Sequence, residues 1–304
     1  MNSSLLLEIG QLTHPGRGRC TNEDAFGAYT PPDPRWQAVK GAIFAVADGV
    51  DGHPGGRIAS QLAVQAVVSE YYRTPSPYTA ESLERAVKLA NAYIYRQARR
   101  AYGKMITTLT AAVVRGNELV VANVGDSRAY LVRGRGIWRL TRDHTWVAEE
   151  VAAGGLTPDE ARRHPWRKVI TRALGHRPDV KVDILRLMIQ PGDTIVLCSD
   201  GLSDRVWDSE IWSIVSRSRP KEAAKKLVRL ANYRGGNDNI TVIVIRAKPP
   251  TRRPVAHPAY SGPALWEARR PQSSLVPLVQ LAGGLAIATL IMMLSIYLLT
   301  SAPG

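Results

Sequence analysis

The sequence predicts an α+β domain built on mainly antiparallel sheet, followed by a linker and an apolar C-terminal segment. Three observations carry that prediction. Short apolar runs at 109–114 and 119–124 flank Arg115-Gly116-Asn117, and runs at 129–132 and 137–140 flank a second tight turn at 133–136. Strands joined by so few residues pair antiparallel, because a parallel pair needs a long crossover. Two stretches, 58–72 and 80–102, repeat apolar residues at helical spacing on one face, with Thr74-Pro75-Ser76-Pro77 breaking the pattern between them. Finally, no charged residue follows Arg270, from Pro271 to Gly304.

The elements follow in chain order. Leu5-Leu6-Leu7-Glu8-Ile9 reads as a first strand, and the loop 13–22, rich in Gly, Arg and His, delivers Arg19 to Asp24. A Pro-rich excursion at 31–34 precedes the apolar run 42–46, short enough for a buried strand. The two helices are expected to lie antiparallel and pack on the sheet, which makes their apolar stripes core. Segment 141–175 breaks the strand rhythm with a helix at 146–153 and a second start at Thr157-Pro158-Asp159-Glu160. There Thr157 suits the N-cap, Pro158 the first helical position and Glu160 a capping box. An insertion between core elements is where a substrate-facing flap would sit. Strands at 180–188 and 194–198, helices at 209–216 and 221–232, and a last strand at 240–245 complete the domain.

Composition narrows the class. The chain has 304 residues, enough to bury a core without disulfides, and its two cysteines, Cys20 and Cys198, show no metal-ligand spacing. They read as reduced thiols, which suits a cytosolic domain. Residues 1–10 lack a basic region followed by an apolar core, so no secretory signal is expected there. The net charge of +14 is scattered over helices and loops, with no basic run interleaved with aromatics. That pattern argues against a nucleic-acid surface and for a solvated face that attracts phosphorylated partners or anionic lipid.

Three segments are expected: a domain at 1–247, a linker at 248–275 and a membrane helix at 276–300. The linker holds six prolines, from Pro249 and Pro250 to Pro271, among scattered arginines. Beyond it, the apolar stretch 278–299 would reach ~33 Å as a helix at ~1.5 Å per residue, enough to span a bilayer. A buried core helix there would have nothing to pack against. Arginines lie only on its N-terminal side, which places that side, and the domain, in the cytoplasm. The expected product is a single-pass protein of the cell membrane with an uncharged anchor.

The chemistry is expected where strands end. Ala47-Asp48-Gly49-Val50-Asp51-Gly52-His53 follows a buried strand, and so do Gly125-Asp126 and Ser199-Asp200-Gly201, while Asp24 and Asp238 stand beside other apolar runs. A single Asp-Gly is a common turn. Five carboxylates gathered at one sheet edge would repel strongly unless cations neutralised them. Hard divalent ions accept carboxylates beside carbonyls. Two such ions ~3.5–4 Å apart can activate a shared water and clamp a phosphoryl group. An arginine suits the phosphate oxygens, and Arg19 is the candidate. An imidazole such as His53 suits protonation of a leaving alkoxide, although a lone histidine is as well explained structurally.

The ordered set Arg19-Cys20-Thr21-Asn22-Glu23-Asp24, Asp48-Gly49 with Gly52-His53, Thr107-Thr108-Leu109, Gly125-Asp126-Ser127-Arg128, Ile170-Thr171-Arg172-Ala173-Leu174-Gly175, Ser199-Asp200-Gly201-Leu202 and Asn237-Asp238-Asn239 resembles the motifs of bacterial PP2C-type (PPM) protein serine/threonine phosphatases. The resemblance covers about residues 5–247. It implies a four-layer α-β-β-α sandwich with Mn²⁺ or Mg²⁺ at one edge, two ions per site. By similarity Asp48 would bridge both ions, Asp200 and Asp238 would complete one site, and the Gly49 carbonyl would serve the other. Asp24 would act through water, and Asp126 with Asp200 would hold a third, weaker ion. Arg19 would bind phosphate, and 143–165 would be the family's variable flap. The implied activity is hydrolysis of phosphoserine and phosphothreonine on proteins by a metal-activated water, opposite a serine/threonine kinase. A silent phosphoprotein-binding module and a phosphatase of small metabolites are the rivals. Two departures stand out: Asp51 and Ile106 occupy positions where the family usually has glycine.

Overall fold

The computed structural model describes residues 5–50, 55–100 and 104–249. Asp51, His53, most of the linker and the apolar segment 276–300 lie outside the described residues. Among those described, no helix is long and apolar enough to cross a membrane.

Ten strands form two antiparallel sheets of five. One runs in the order β1 (Leu6–His14), β10 (Ile240–Lys248), β9 (Thr194–Cys198), β6 (Arg128–Arg133) and β7 (Gly136–Arg139). The other runs β2 (Ala25–Tyr29), β3 (Ala42–Ala47), β4 (Leu109–Arg115), β5 (Glu118–Val124) and β8 (Asp183–Met188). Both predicted hairpins are present, β4 with β5 and β6 with β7.

Alternation along the strands builds three cores. Phe44 and Val46 of β3 meet Leu197 of β9 and Ile243 of β10 between the sheets. Their neighbours Ile43 and Ala45 face the other way, onto helices α2 (Gly56–Arg73) and α3 (Thr79–Arg100). Val196, Val242 and Val244 likewise face α7 (Asp208–Arg217) and α8 (Pro220–Tyr233). Helix, sheet, sheet, helix is therefore the layer order. Because both faces of the central strands are covered, they read as unbroken apolar runs, a pattern met mostly in parallel sheets. The short turns, not the composition, disclose that these are antiparallel.

Three elements differ from the sequence-based expectation. Strand β1 continues past Ile9 to His14, paired with β10 throughout. Gly10 in its middle meets the start of α8 so closely that a Cβ would lie 2.1 Å from the Pro220 carbonyl carbon. Strand β2 is a half-exposed edge strand with little apolar signal, held by pairing Ala25 with Ala47. The Pro-rich excursion contains α1 (Pro34–Lys40), whose N-cap Asp33 accepts from Arg35 N at 2.8 Å. Its last residue, Lys40, is buried and donates Nζ to the carbonyls of Thr74 and Ser76 at 2.6 and 3.0 Å.

Segment 141–175 holds the two helices expected of it. It carries α4 (Trp146–Ala153) and α5 (Pro158–Arg163), the latter opened by the Thr157–Glu160 capping box. Trp146 packs against His164 and Trp166, with ring centroids 5.0 Å away in each case. The return chain is tied back by Trp146 N donating to Val169 O at 2.9 Å and by a bridge between Thr145 and Ile170.

Candidate metal centre

The registers bring five strand ends to one edge of the sandwich. Ala25 pairs with Ala47, Leu109 with Val124, and Cys198 with both Val242 and Arg128. Asp24 and Asp48 adjoin the first pair, Asp126 and Asp200 follow the ends of β5 and β9, and Asp238 precedes the start of β10 at Ile240, so residues far apart in sequence meet in space. Arg19 joins them: its Nη2 is 3.0 Å from Asp238 Oδ1, and its Nε donates to Asn237 O at 3.2 Å.

Local bonding explains why the chain accepts this crowding. Asp24 is buried, and its Oδ2 accepts from Ser199 Oγ at 2.7 Å and Thr241 Oγ1 at 2.6 Å, which ties one sheet's edge to the other. The backbone of Asp48 is clamped by the Thr107-Thr108 pair. Thr107 Oγ1 and Thr108 N donate to Asp48 O, each at 2.8 Å, and Asp48 N donates to Thr108 Oγ1 at 3.0 Å. Gly49 has no room for a side chain, since a Cβ would lie 2.5 Å from the carbonyl carbon of Gly56. Ile106 leaves the backbone regularly paired, its carbonyl accepting from Val50 N at 3.0 Å. The loop bearing Arg19 is held by Asn239, whose Nδ2 donates to Pro15 O and Thr21 O and whose Oδ1 accepts from Glu23 N.

Electrostatics reports how close the carboxylates are. Burial, then the charges of Asp24, Asp200, Asp126 and Asp238, push the Asp48 carboxyl well above the usual range. Burial, Asp200, Asp143 and Asp204 do the same to Asp126. Asp24 is raised to about 7, chiefly by burial, against the lowering effect of Thr241 and Ser199. A cluster that holds its own protons this tightly is short of positive charge.

Two groups here escaped the sequence reading. Lys168, just past the predicted flap, places Nζ 2.9 Å from Asp200 Oδ2, 2.8 Å from Asp238 Oδ2 and 3.5 Å from Asp204 Oδ2. Asp204 follows Asp200 by four residues across the short helix α6 (Asp200–Ser203), a spacing that puts both on one face and was a legible signal. Nothing local announces Lys168. His53 lies outside the described residues, so its place at this edge rests on sequence alone.

The donor set fits a hard divalent cation: carboxylate oxygens from five segments, with Asp24 Oδ1 and Asp200 Oδ1 buried and lacking any hydrogen-bond partner. As the side chains stand, no three acidic, imidazole or thiol groups among the described residues converge closely enough to hold an ion. Asp200 and Asp238 grip the Lys168 ammonium instead.

The pattern of the protein phosphatase 2C family matches residues 14–232. The chain belongs to that family. Among its relatives, the serine/threonine phosphatase Stp of Listeria innocua is 36% identical over 240 residues, covering 77% of this chain and 93% of the relative. The crystal structure of the Mycobacterium tuberculosis serine/threonine phosphatase PstP/Ppp superposes with a TM-score of 0.70 at 36% identity, over 80% of this chain and 99% of that one. A PstP catalytic domain in complex with two manganese ions superposes with a TM-score of 0.69 at 34% identity, over 81% of this chain and 100% of that one.

In this PP2C chain the raised Asp24 carboxyl sets a pH dependence of stability. Its folded pKa of about 7 exceeds the ordinary value of 3.8, so its contribution is fully present at low pH and is lost as pH rises through about 7. Buried His144 acts oppositely, because burial lowers its pKa from 6.5 and it resists protonation. In chelator, the urea midpoint should therefore rise as pH falls from 8 through about 7 and go on rising toward the ordinary carboxylate value, since Asp48 and Asp126 are raised as well, with His144 offsetting only part of the gain below 6.5. Saturating Mn²⁺ should remove the rise, because a bound ion keeps the carboxylates charged. A midpoint flat in chelator between pH 8 and 6.5 would contradict the burial argument.

Proposed function

We propose that this chain is a metal-dependent phosphatase of phosphoserine and phosphothreonine on proteins, tethered to the cytoplasmic face of the cell membrane and opposing a serine/threonine kinase. The observation that carries the reading is the gathering of five aspartates from five strand ends beside Arg19. Asp48, which feels the charges of all four others, would be the central ligand of the bound Mn²⁺ or Mg²⁺. Asp200, Asp238, Asp24 and the Gly49 carbonyl would complete the donor set. Asp126 with Asp200 would take a further ion. Bound Mn²⁺ or Mg²⁺ supplies Lewis acidity toward the phosphoryl oxygens and activates a water at neutral pH.

The chain's own residues do the positioning. The Arg19 guanidinium, its plane set by Asp238 and Asn237, presents a fork that matches two phosphate oxygens. His53 is assigned the proton of the leaving serine or threonine oxygen. A shallow pocket lined by Val50, Ile106, Ile170, Arg172 and His176 lies beside the flap and offers a place for substrate side chains. The membrane tether rests on the charge-free stretch 278–299 and the arginines before it. Scattered positive charge suits phosphorylated proteins and not nucleic acid.

The test is phosphate release from a phosphothreonine peptide by the full chain. Release that needs Mn²⁺, stops on chelation and exceeds that from a small phosphoester of equal concentration supports the reading. A folded, Mn²⁺-supplied chain that leaves the peptide intact sinks it. Extraction of membranes with alkaline carbonate reports separately on the anchor, which predicts that the chain stays with the lipid.

A further inference from the structure

Lys168 is more than a neighbour of the acidic edge. Its ammonium has three N–H donors and faces three carboxylates, those of Asp200, Asp238 and Asp204. We propose that Lys168 is a tethered cation that competes with divalent metal for Asp200 and Asp238, latching the flap over the centre until metal displaces it. This rests on the metal-centre reading above and deepens it into a regulatory contact.

Geometry and chemistry support the latch together. An ion such as Mg²⁺ needs carboxylate oxygens at ~2.0–2.1 Å and tolerates no second cation on the same oxygens without repulsion. The two closest oxygens to Lys168, Asp200 Oδ2 and Asp238 Oδ2, belong to side chains only 15% and 21% exposed. An ammonium is a compact point charge, the side chain best able to imitate a metal ion among several carboxylates. The lysine does not arrive on a loose arm. It precedes Val169 and Ile170, which are tied to Trp146 and Thr145, and it follows the Trp146–His164–Trp166 cluster. A second contact fastens the same flap to the same side of the site, where Arg162 lies 4.9 Å over the Trp207 ring, three residues beyond Asp204. Lys168 also forms one wall of the shallow pocket, so releasing it would open the mouth of the site as it frees the ligands.

The latch predicts that removing the ammonium lowers stability without metal and raises affinity for metal. Lys168→Met keeps length and removes charge at a side chain 44% exposed, so the fold is retained. In chelator, the variant should melt below the wild type, because three carboxylates lose their cation. Trypsin should then cut after Arg162, Arg163 and Arg167 several-fold faster, read by mass spectrometry. With saturating Mn²⁺ both differences should close, because the wild-type latch is then already released. Calorimetric titration should show binding about tenfold tighter in the variant, the factor that a latch of about 1.4 kcal/mol suppresses in the wild type. In the wild type alone, Mn²⁺ should speed flap cleavage. Equal Mn²⁺ affinity with equal flap cleavage in the two proteins overturns the competition while leaving the metal centre intact. No Mn²⁺ binding by either protein removes the metal centre, and the competition with it.

Discussion

Asp48→Ala should lower kcat/KM on a phosphothreonine peptide by at least ~10³-fold while making the metal-free chain more stable. Removing one donor from a preorganised site typically costs about 10²–10³ in rate. A carboxylate proposed to serve both ions would be worth more than one donor. The fold does not depend on that side chain, because Thr107 and Thr108 hold the backbone of residue 48 through its N–H and C=O. The same side chain is a burden without metal, being pushed toward protonation by burial and by four neighbouring aspartates. Loss of turnover together with a raised melting temperature in chelator is a signature that a structural aspartate would not give. Steady-state kinetics and thermal melts of one preparation check both halves. A variant that keeps a tenth of wild-type turnover would remove Asp48 from the centre of the mechanism.

How far the sequence disclosed this arrangement depended on whether the signal was local. Tight turns such as Arg115-Gly116-Asn117, the Thr157–Glu160 capping box and the apolar faces of α2 and α3 are carried by neighbouring residues, and each was legible. Asp48, Asp126, Asp200 and Asp238 were legible because each follows or precedes a predicted strand, and Asp24 because its motif is one of seven that occur in family order. Strand β2 was not, since Ala25-Phe26-Gly27-Ala28-Tyr29 owes its conformation to pairing with β3. The second half of β1 was hidden for a related reason: Gly10 and Gln11 break the apolar run, yet Gly10 is there to let α8 approach. Helix α1 was obscured by its prolines, although Asp33-Pro34 is itself a helix-start signal. Lys168 marks the limit. Its partners lie at positions 200, 204 and 238, and no spacing rule links a lysine just past the flap to them.

Arg19→Lys should fail to restore what Arg19→Ala removes, and that failure identifies the role of the guanidinium. Alanine should reduce kcat/KM by about 10²–10³, the usual loss for a charge-bearing donor in such a site. The loop around it keeps its shape without the side chain, because Asn239 holds Pro15, Thr21 and Glu23 through three hydrogen bonds. Lysine keeps the charge but not the plane. In the native arrangement, Nε reaches Asn237 O and Nη2 reaches Asp238 Oδ1, which fixes the orientation of the whole fork. A single ammonium cannot hold those two anchors and also meet two phosphate oxygens in parallel. Lysine should therefore recover no more than about tenfold of the loss, the share that charge alone supplies to a phosphate contact. If Arg19→Lys turns over like the wild type, the planar fork is dispensable and Arg19 acts only as a positive charge beside Asp238. If Arg19→Ala leaves kinetics unchanged on both peptide and small phosphoester, the phosphate is bound elsewhere on this edge.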